Sequence, residues 1–344
     1  MSDNIEKLGN LGETAIIELI EGLIFEKTGK SLIRDDSLFF NLQTCFDNIK
    51  GPNLELVLNS DMLVSTTDVP EQMNPYQIGR KAGLMNISDL IVKGVKPRGI
   101  ILSFGLHEET SVNFLRNIMN GLLDYISMYN MEYLGGDLNK TKELIINPTV
   151  FGVQESSKII HRKGIKPGDI LVSNERFGLT GVGFDILLHK KGKIEEYPDF
   201  RNSIESVLKP SDVGYEALIF AEENLATSSI DSSDGLAKSL RELMRSNPQI
   251  GFEVKFDENL IAQEAQEYSL RYDIPLESLI FEGGEEFIHL FTISATNFER
   301  AKRRVEQRGG KIYKIGHVIS EERIFYKKDS ERVEMKKKGY EHFD

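Results

Sequence analysis

Two patterns of apolar residues alternate along this chain, and that alternation limits the fold more than any other feature. Segments 54–60, 100–106, 144–153, 170–173, 287–293 and 311–315 are short apolar runs of strand length. Segments 13–27, 75–93, 112–129, 182–189, 213–226 and 236–244 carry helical spacing instead; Ile16, Ile17, Ile20, Leu23 and Ile24 make the first of them amphipathic. Pro75 is a good first helical residue and Gly94 a good stop. Between 154 and 158 the apolar pattern lapses, and Ile165-Lys166-Pro167-Gly168-Asp169 reads as a turn. The pattern predicts an α+β chain of two α/β-type halves, residues 1–155 and 156–344.

Composition narrows the function. With 42 Lys+Arg against 54 Asp+Glu, a formal net charge of -12 disfavours nucleic acid and anionic lipid as partners. Cys45 is the single cysteine, which excludes an intrachain disulfide and a cysteine-based zinc cluster. No apolar run approaches the roughly 18 residues that cross a bilayer, and the first residues lack the pattern of a signal peptide. A cytoplasmic location is the default expectation.

Common phosphate-binding signatures fail on inspection. Gly29-Lys30-Ser31 resembles the end of a P-loop, but Ile24 stands where that loop needs glycine, and the segment follows a helix. Gly178, Gly181 and Gly183 are not in dinucleotide spacing, protein-kinase triplets are absent, and the six histidines show no metalloprotease spacing. What stands out is a set of aspartates beside glycine, serine or apolar runs: Asp35-Asp36, Asp61, Asp89, Asp137, Asp231 and Asp234. Any one of them is most simply a turn or helix cap. Asp89 is less easily dismissed, because a carboxylate inside the apolar helical stretch Asn86-Ile87-Ser88-Asp89-Leu90 must be paired, metal-bound or turned outward. As a set they suit a hard cation such as Mg2+, which takes one or two carboxylates together with substrate phosphates.

The same motifs occur in the order of a known family. Asp35-Asp36-Ser37, Asn59-Ser60-Asp61, Asn86-Ile87-Ser88-Asp89-Leu90, Gly135-Gly136-Asp137, Arg162 ahead of Lys166-Pro167-Gly168-Asp169, Asp231-Ser232-Ser233-Asp234-Gly235, Gly283-Gly284-Glu285 and Gly339-Tyr340-Glu341-His342-Phe343 together resemble the thiamine-monophosphate kinases, of the aminoimidazole-ribonucleotide-synthetase-like superfamily. The resemblance implies ATP- and Mg2+-dependent conversion of thiamine monophosphate to thiamine diphosphate. It also implies a homodimer whose N-terminal halves contribute strands to a shared β-barrel, with a mixed C-terminal sheet packed by helices.

Carried over motif by motif, Asp36, Ser60, Asp61, Asp89, Asp137, Asp231 and Asp234 would hold metal, and Gly136, Asp137, Arg162 and Ser233 would contact ATP. Asp68, Glu285 and Tyr340 would contact the acceptor, with Tyr340 stacking on its ring. No catalytic side chain is implied, since a phosphate oxygen is already an anionic nucleophile and transfer needs alignment and charge neutralisation. Several Mg2+ ions, on the order of three to five, would balance the charge of ATP, acceptor and aspartates.

This chain departs from the family at Asp68, where a histidine is usual, at Asn59, where serine or threonine is common, and at Glu286, the second acidic residue after the glycine pair, where aspartate is usual. Two rival readings remain: a superfamily enzyme acting on another acceptor, and a nucleotide-binding paralogue without catalysis. Against the first, the region before Asp35 lacks the reactive cysteine of a selenophosphate synthetase, and the chain ends in Phe343-Asp344 rather than in cysteine. Against the second, every matched aspartate is present.

Overall fold

A computed structural model describes residues 13–29, 31, 33–45, 52–337 and 339. Tyr340, expected at the acceptor, lies outside the described residues, as do Lys30 and 341–344. Two sheets carry the architecture. The first comprises β1 (Leu38–Asn41), β2 (Leu54–Asn59), β3 (Leu63–Val64), β4 (Gly99–Leu106), β5 (Glu132–Lys140) and β6 (Ile145–Glu155), in the order β1-β2-β6-β4-β5, with β3 on β6. The second comprises β7 (Ile170–Ser173), β8 (Ala226–Ser232), β9 (Gly251–Lys255), β10 (Ile288–Ile293), β11 (Tyr313–Ile319), β12 (Ile324–Lys328) and β13 (Glu331–Glu334), in the order β13-β12-β9-β11-β7-β10-β8.

Helices α1 (Glu13–Thr28), α2 (Ser65–Asp68), α3 (Pro75–Val92) and α4 (Val112–Ser127) accompany the first sheet. Helices α5 (Leu179–Phe184), α6 (Arg201–Leu208), α7 (Glu216–Glu223), α8 (Leu236–Ser246), α9 (Gln263–Tyr272), α10 (Leu276–Phe281) and α11 (Phe298–Glu306) accompany the second.

Both sheets are mixed and mostly antiparallel: only β4 with β5, and β12 with β9, run parallel. The expected α+β class holds, because most neighbouring strands meet through antiparallel returns rather than helical crossovers. The first sheet is open within one chain, with β1 and β5 at its edges.

Helix α3 is the organising element. Asn74 caps it through a reciprocal pair with Gln77, Pro75 occupies its first turn, and Gly94, at φ +75°, ends it. Its residues from Ile78 to Val92 are nearly all buried, because it lies between the two sheets and also packs on α4 and α7. One core joins α3 and the inner face of the first sheet to Val172, Phe291 and Ile293 of the second, so apolar packing is continuous past residues 154–158. A separate core, built from Leu171, Leu290, Phe252 and Ile315 with α5, α8 and α10, covers the opposite face of the second sheet. Adjacent residues of β7 and β10 serve different cores, as strand alternation requires.

Two segments differ from expectation in the fold. Helix α1 forms, but Ile17, Ile20 and Leu23 on its apolar stripe stay exposed. Segment 226–232, where the helical pattern stops at Ala226 and no element is expected for Ser229-Ile230-Asp231, forms the strand β8, buried although it is mostly serine and threonine. Its hydroxyls are satisfied within the sheet and against the preceding loop: Ser228 Oγ lies 2.8 Å from Thr292 Oγ1, and Ser229 Oγ donates to the Ile160 carbonyl at 3.0 Å.

Candidate functional site

The end of β2, the segment before β1, the middle of α3 and the end of β8 converge where the two sheets face each other across α3. Asn86 of α3 reads the β2 exit from both sides, accepting from the Asp61 N–H at 2.8 Å and donating to the Asp61 carbonyl at 3.0 Å. Ser60 Oγ donates to the Pro148 carbonyl at 3.0 Å and lies 2.9 Å from Thr149 Oγ1. Asn59 donates to the Asp89 carboxylate and to the Asp36 carbonyl, and Ser37 Oγ donates to the Asp89 carbonyl at 2.9 Å. These bonds pull residues 36, 60, 61 and 89 into one wall.

Cations hold the outer end of that wall. The Lys93 ammonium, wholly buried at the C-cap of α3, lies 2.7 Å from Asp35 Oδ1 and 2.6 Å from Asp36 Oδ2. Arg162 donates its backbone N–H to Asp35 at 3.0 Å and its guanidinium to Asp36. Burial works against the Asp35 carboxylate, but Lys93, His161 and the Arg162 amide outweigh it and hold Asp35 well below the usual carboxylate range.

Deeper in, burial and neighbouring carboxylates dominate. Burial and then the carboxylates of Asp61, Asp231 and Asp36 push Asp89 well above the ordinary range; burial with Asp36, Asp61 and Asp234 does the same to Asp231. Burial and the neighbouring Asp234 and Asp36 carboxylates push Asp61 up as well, although Asp89 and Asn59 oppose that shift. Mutually repelling carboxyl oxygens gathered where α3 lies between the two sheets suit a hard divalent cation. Among the described residues, no three His, Cys, Asp or Glu side chains are arranged to hold one ion alone.

A second group adjoins the first. Lys81, wholly buried on α3, lies 2.6 Å from both Glu285 carboxylate oxygens and donates to the Asp68 carbonyl at 2.6 Å. The Asp68 carboxylate turns back and accepts from the Val64 N–H at 2.6 Å, so the residue that replaces a histidine caps its own helical turn. Burial pushes Glu285 up, Lys81 opposes that shift, and Asp68 and Asp234 add to it. Glu285 sits at φ +57° and Phe287 at φ +49°, left-handed conformations that non-glycine residues adopt only when their surroundings impose them. One restraint is Glu286, which accepts from the Gly178 N–H ahead of α5 at 2.6 Å. The Glu285 N–H donates to the Ser233 carbonyl at 2.5 Å, which ties this loop to the turn bearing Asp234. Asp234 is itself 3.0 Å from Lys238.

The structure thus brings together Asp36, Ser60, Asp61, Asp89, Arg162, Asp231, Ser233, Asp234, Asp68 and Glu285. Gly136 and Asp137 stand apart on β5, the exposed edge strand, where Asp137 pairs with Ser103 of β4. They line a cleft of about 390 Å³ with Phe104 and Tyr133. The sequence motifs include Asn86 and Ser88 without a role for either, and Lys81, Lys93 and His289 fall outside them. A signal existed for the lysines, since each lies in or at the end of an apolar helix and so needs a buried partner.

A model of the AIR synthase related protein, N-terminal domain, matches residues 36–154. Thiamine-monophosphate kinase of Nitrosopumilus maritimus is 29% identical over 84% of this chain and 89% of its own. That of Pyrococcus horikoshii is 31% identical over 83% of this chain and 86% of its own. A solved structure of AaThiL complexed with AMPPCP and TMP superposes with a TM-score of 0.80 at 25% identity, covering 99% of this chain and all of that one. Similarity therefore extends through both sheets and every wall of the site, and the chain belongs to the thiamine-monophosphate kinase family of phosphotransferases.

Proposed function

We propose that this chain transfers the γ-phosphoryl group of ATP directly to the phosphate of thiamine monophosphate, giving thiamine diphosphate and ADP. The observation that carries the reading is the gathering of Asp36, Asp61, Asp89 and Asp231 at one place, beside Arg162 and the Lys81–Glu285 pair. Such a site is built for charge neutralisation and alignment, which phosphoryl transfer needs more than a covalent nucleophile. Asp36, Ser60, Asp61, Asp89, Asp231 and Asp234 would hold Mg2+, with Asp137 completing the set. Bound Mg2+ would supply the positive charge that lets the phosphates of ATP and acceptor approach.

Arg162 and Ser233 line the nucleotide side of the site. Asp68, Glu285 and Tyr340 belong to the acceptor side in this reading. Asp68 no longer offers a cation, so Lys81 is the positive charge on that side, held in place by Glu285.

Self-association as a homodimer belongs to the same proposal. Leu38, Phe40, Ile101 and Val153 are exposed on one face of the first sheet, the face turned away from α3. An uncovered apolar sheet with free edges favours a second copy, and a shared barrel would place Gly136 and Asp137 at the joint.

Incubation with ATP, Mg2+ and thiamine monophosphate, followed by chromatographic separation, should yield thiamine diphosphate and ADP. Absence of thiamine diphosphate at saturating substrates, while ATP still binds, would overturn the reading.

A further inference from the structure

Helix α3 and the strands β8 and β10 bury a three-residue hydrogen-bonded chain, Ser88, Asp231 and His289, of which His289 lies outside every family motif. His289 and Asp231 are direct partners in the register of β10 with β8, so both side chains project from one face of the sheet toward α3. Ser88 of α3 meets them: its Oγ lies 2.8 Å from Asp231 Oδ1 and 3.0 Å from His289 Nε2. His289 and Ser88 are wholly buried. At 3.8 Å from Asp231 Oδ1, His289 Nε2 is too far for a direct bond, so the serine hydroxyl is the only link.

The direction of the chain follows from proton counting. With its proton displaced by a bound cation, the Asp231 carboxylate only accepts, and a serine hydroxyl has one proton to give. With that proton on Asp231, the Ser88 oxygen must accept, and the donor is His289 Nε2–H. The neutral ring then carries no proton on Nδ1, which has no hydrogen-bond partner. Burial holds the ring neutral, its pKa down at about 3. As mere core filler such a residue is a poor choice, because an apolar side chain would leave no buried nitrogen unpaired. The backbone fixes the ring further, since the His289 N–H donates to Asn174 Oδ1 at 2.9 Å.

We propose that His289 is a positioning residue: it holds the Ser88 hydroxyl as a donor to Asp231 Oδ1 and leaves Asp231 Oδ2 as the oxygen presented to the bound ligand. Without the imidazole donor, the Ser88 hydroxyl is free to rotate and Asp231 loses its fixed orientation. The functional part of this inference rests on the phosphotransferase reading of the site; the hydrogen-bond direction does not.

The test therefore has two arms. Two-bond 15N–1H correlation spectra of the full-length labelled protein at neutral pH with saturating Mg2+, with His289 assigned by comparison with His289→Leu, should show the neutral Nε2–H tautomer. An Nδ1–H tautomer or an imidazolium overturns the proposal whether or not the protein is active. In steady-state assays, His289→Leu should lower kcat about tenfold with KM for ATP within about twofold, the pattern of a lost orienting bond. His289→Gln keeps an N–H donor near the Nε2 position and should recover most of the loss. Equal kcat for the two variants, with both folded by circular dichroism, also overturns it. If the wild-type protein makes no thiamine diphosphate, the functional reading fails while the spectra still decide the hydrogen-bond direction.

Discussion

Asp89 and Glu286 show how differently two buried carboxyl groups can be used. Asp89 is raised by burial and by three neighbouring carboxylates, so the metal-free folded state holds extra protons above the ordinary carboxylate range. Stability should therefore fall as pH rises from that range through the raised value, and Mg2+ should restore it most at neutral pH. Asp89→Asn should raise the metal-free Tm at neutral pH and blunt the Mg2+-dependent rise. It should also lower kcat at least roughly 100-fold; near-normal turnover would remove Asp89 from the metal set.

Glu286 has no such group of carboxylates. Burial pushes it from 4.5 to about 8, although the backbone amides of Gly178, Thr180 and Leu179 favour its ionised form. Its contribution to stability is greatest in acid and is lost as pH rises from 4.5 to about 8. Glu286→Gln keeps the acceptor for the Gly178 N–H and removes the titration. Its Tm should match the wild type in acid and exceed it above pH 8; a wild-type-like decline in the variant would exclude Glu286 as the source.

At the scale of elements, the α3–α4 pair sets how accurately the site is placed. Gly79 of α3 and Gly121 of α4 let the backbones touch: a Cβ on Gly121 would stand 1.9 Å from the Tyr76 carbonyl oxygen, and one on Gly79 1.9 Å from that of Ile118. Gly121→Ala should force the helices apart and cost about 1 to 3 kcal/mol in chemical denaturation, with lost activity because α3 carries Lys81, Ser88 and Asp89. An unchanged denaturation midpoint would show that the helices can separate freely. Helix α3 was legible in the sequence because its ends are local: Asn74 and Gln77 cap each other, Pro75 follows, and Gly94 stops it. Strand β8 was not legible. Its Ser-Ser-Ile-Asp-Ser run has no apolar alternation and becomes a buried strand only because β10 and the 160–161 segment satisfy its polar groups.

For the whole molecule, the open first sheet is the decisive feature. Light scattering should give about twice the 39.0 kDa chain mass. Ile101→Lys, in the middle of the exposed apolar face, should shift the mass to that of one chain without unfolding it. An active wild-type monomer would exclude the shared barrel. Among the described residues, no helix is long and apolar enough to cross a membrane.

The sequence by itself determined the local punctuation of α3, the order of the aspartate motifs and, through that order, the family. The tertiary structure alone decided which of those aspartates meet. Asp61 and Asp231 are far apart in the chain and become neighbours only when α3 is packed between the sheets. The burial of Lys81 against Glu285, the turning back of Asp68 and the chain from His289 to Asp231 arose the same way. Caps and turns are read within a few residues, whereas strand register and the partner of a buried charge depend on groups the local sequence does not contain.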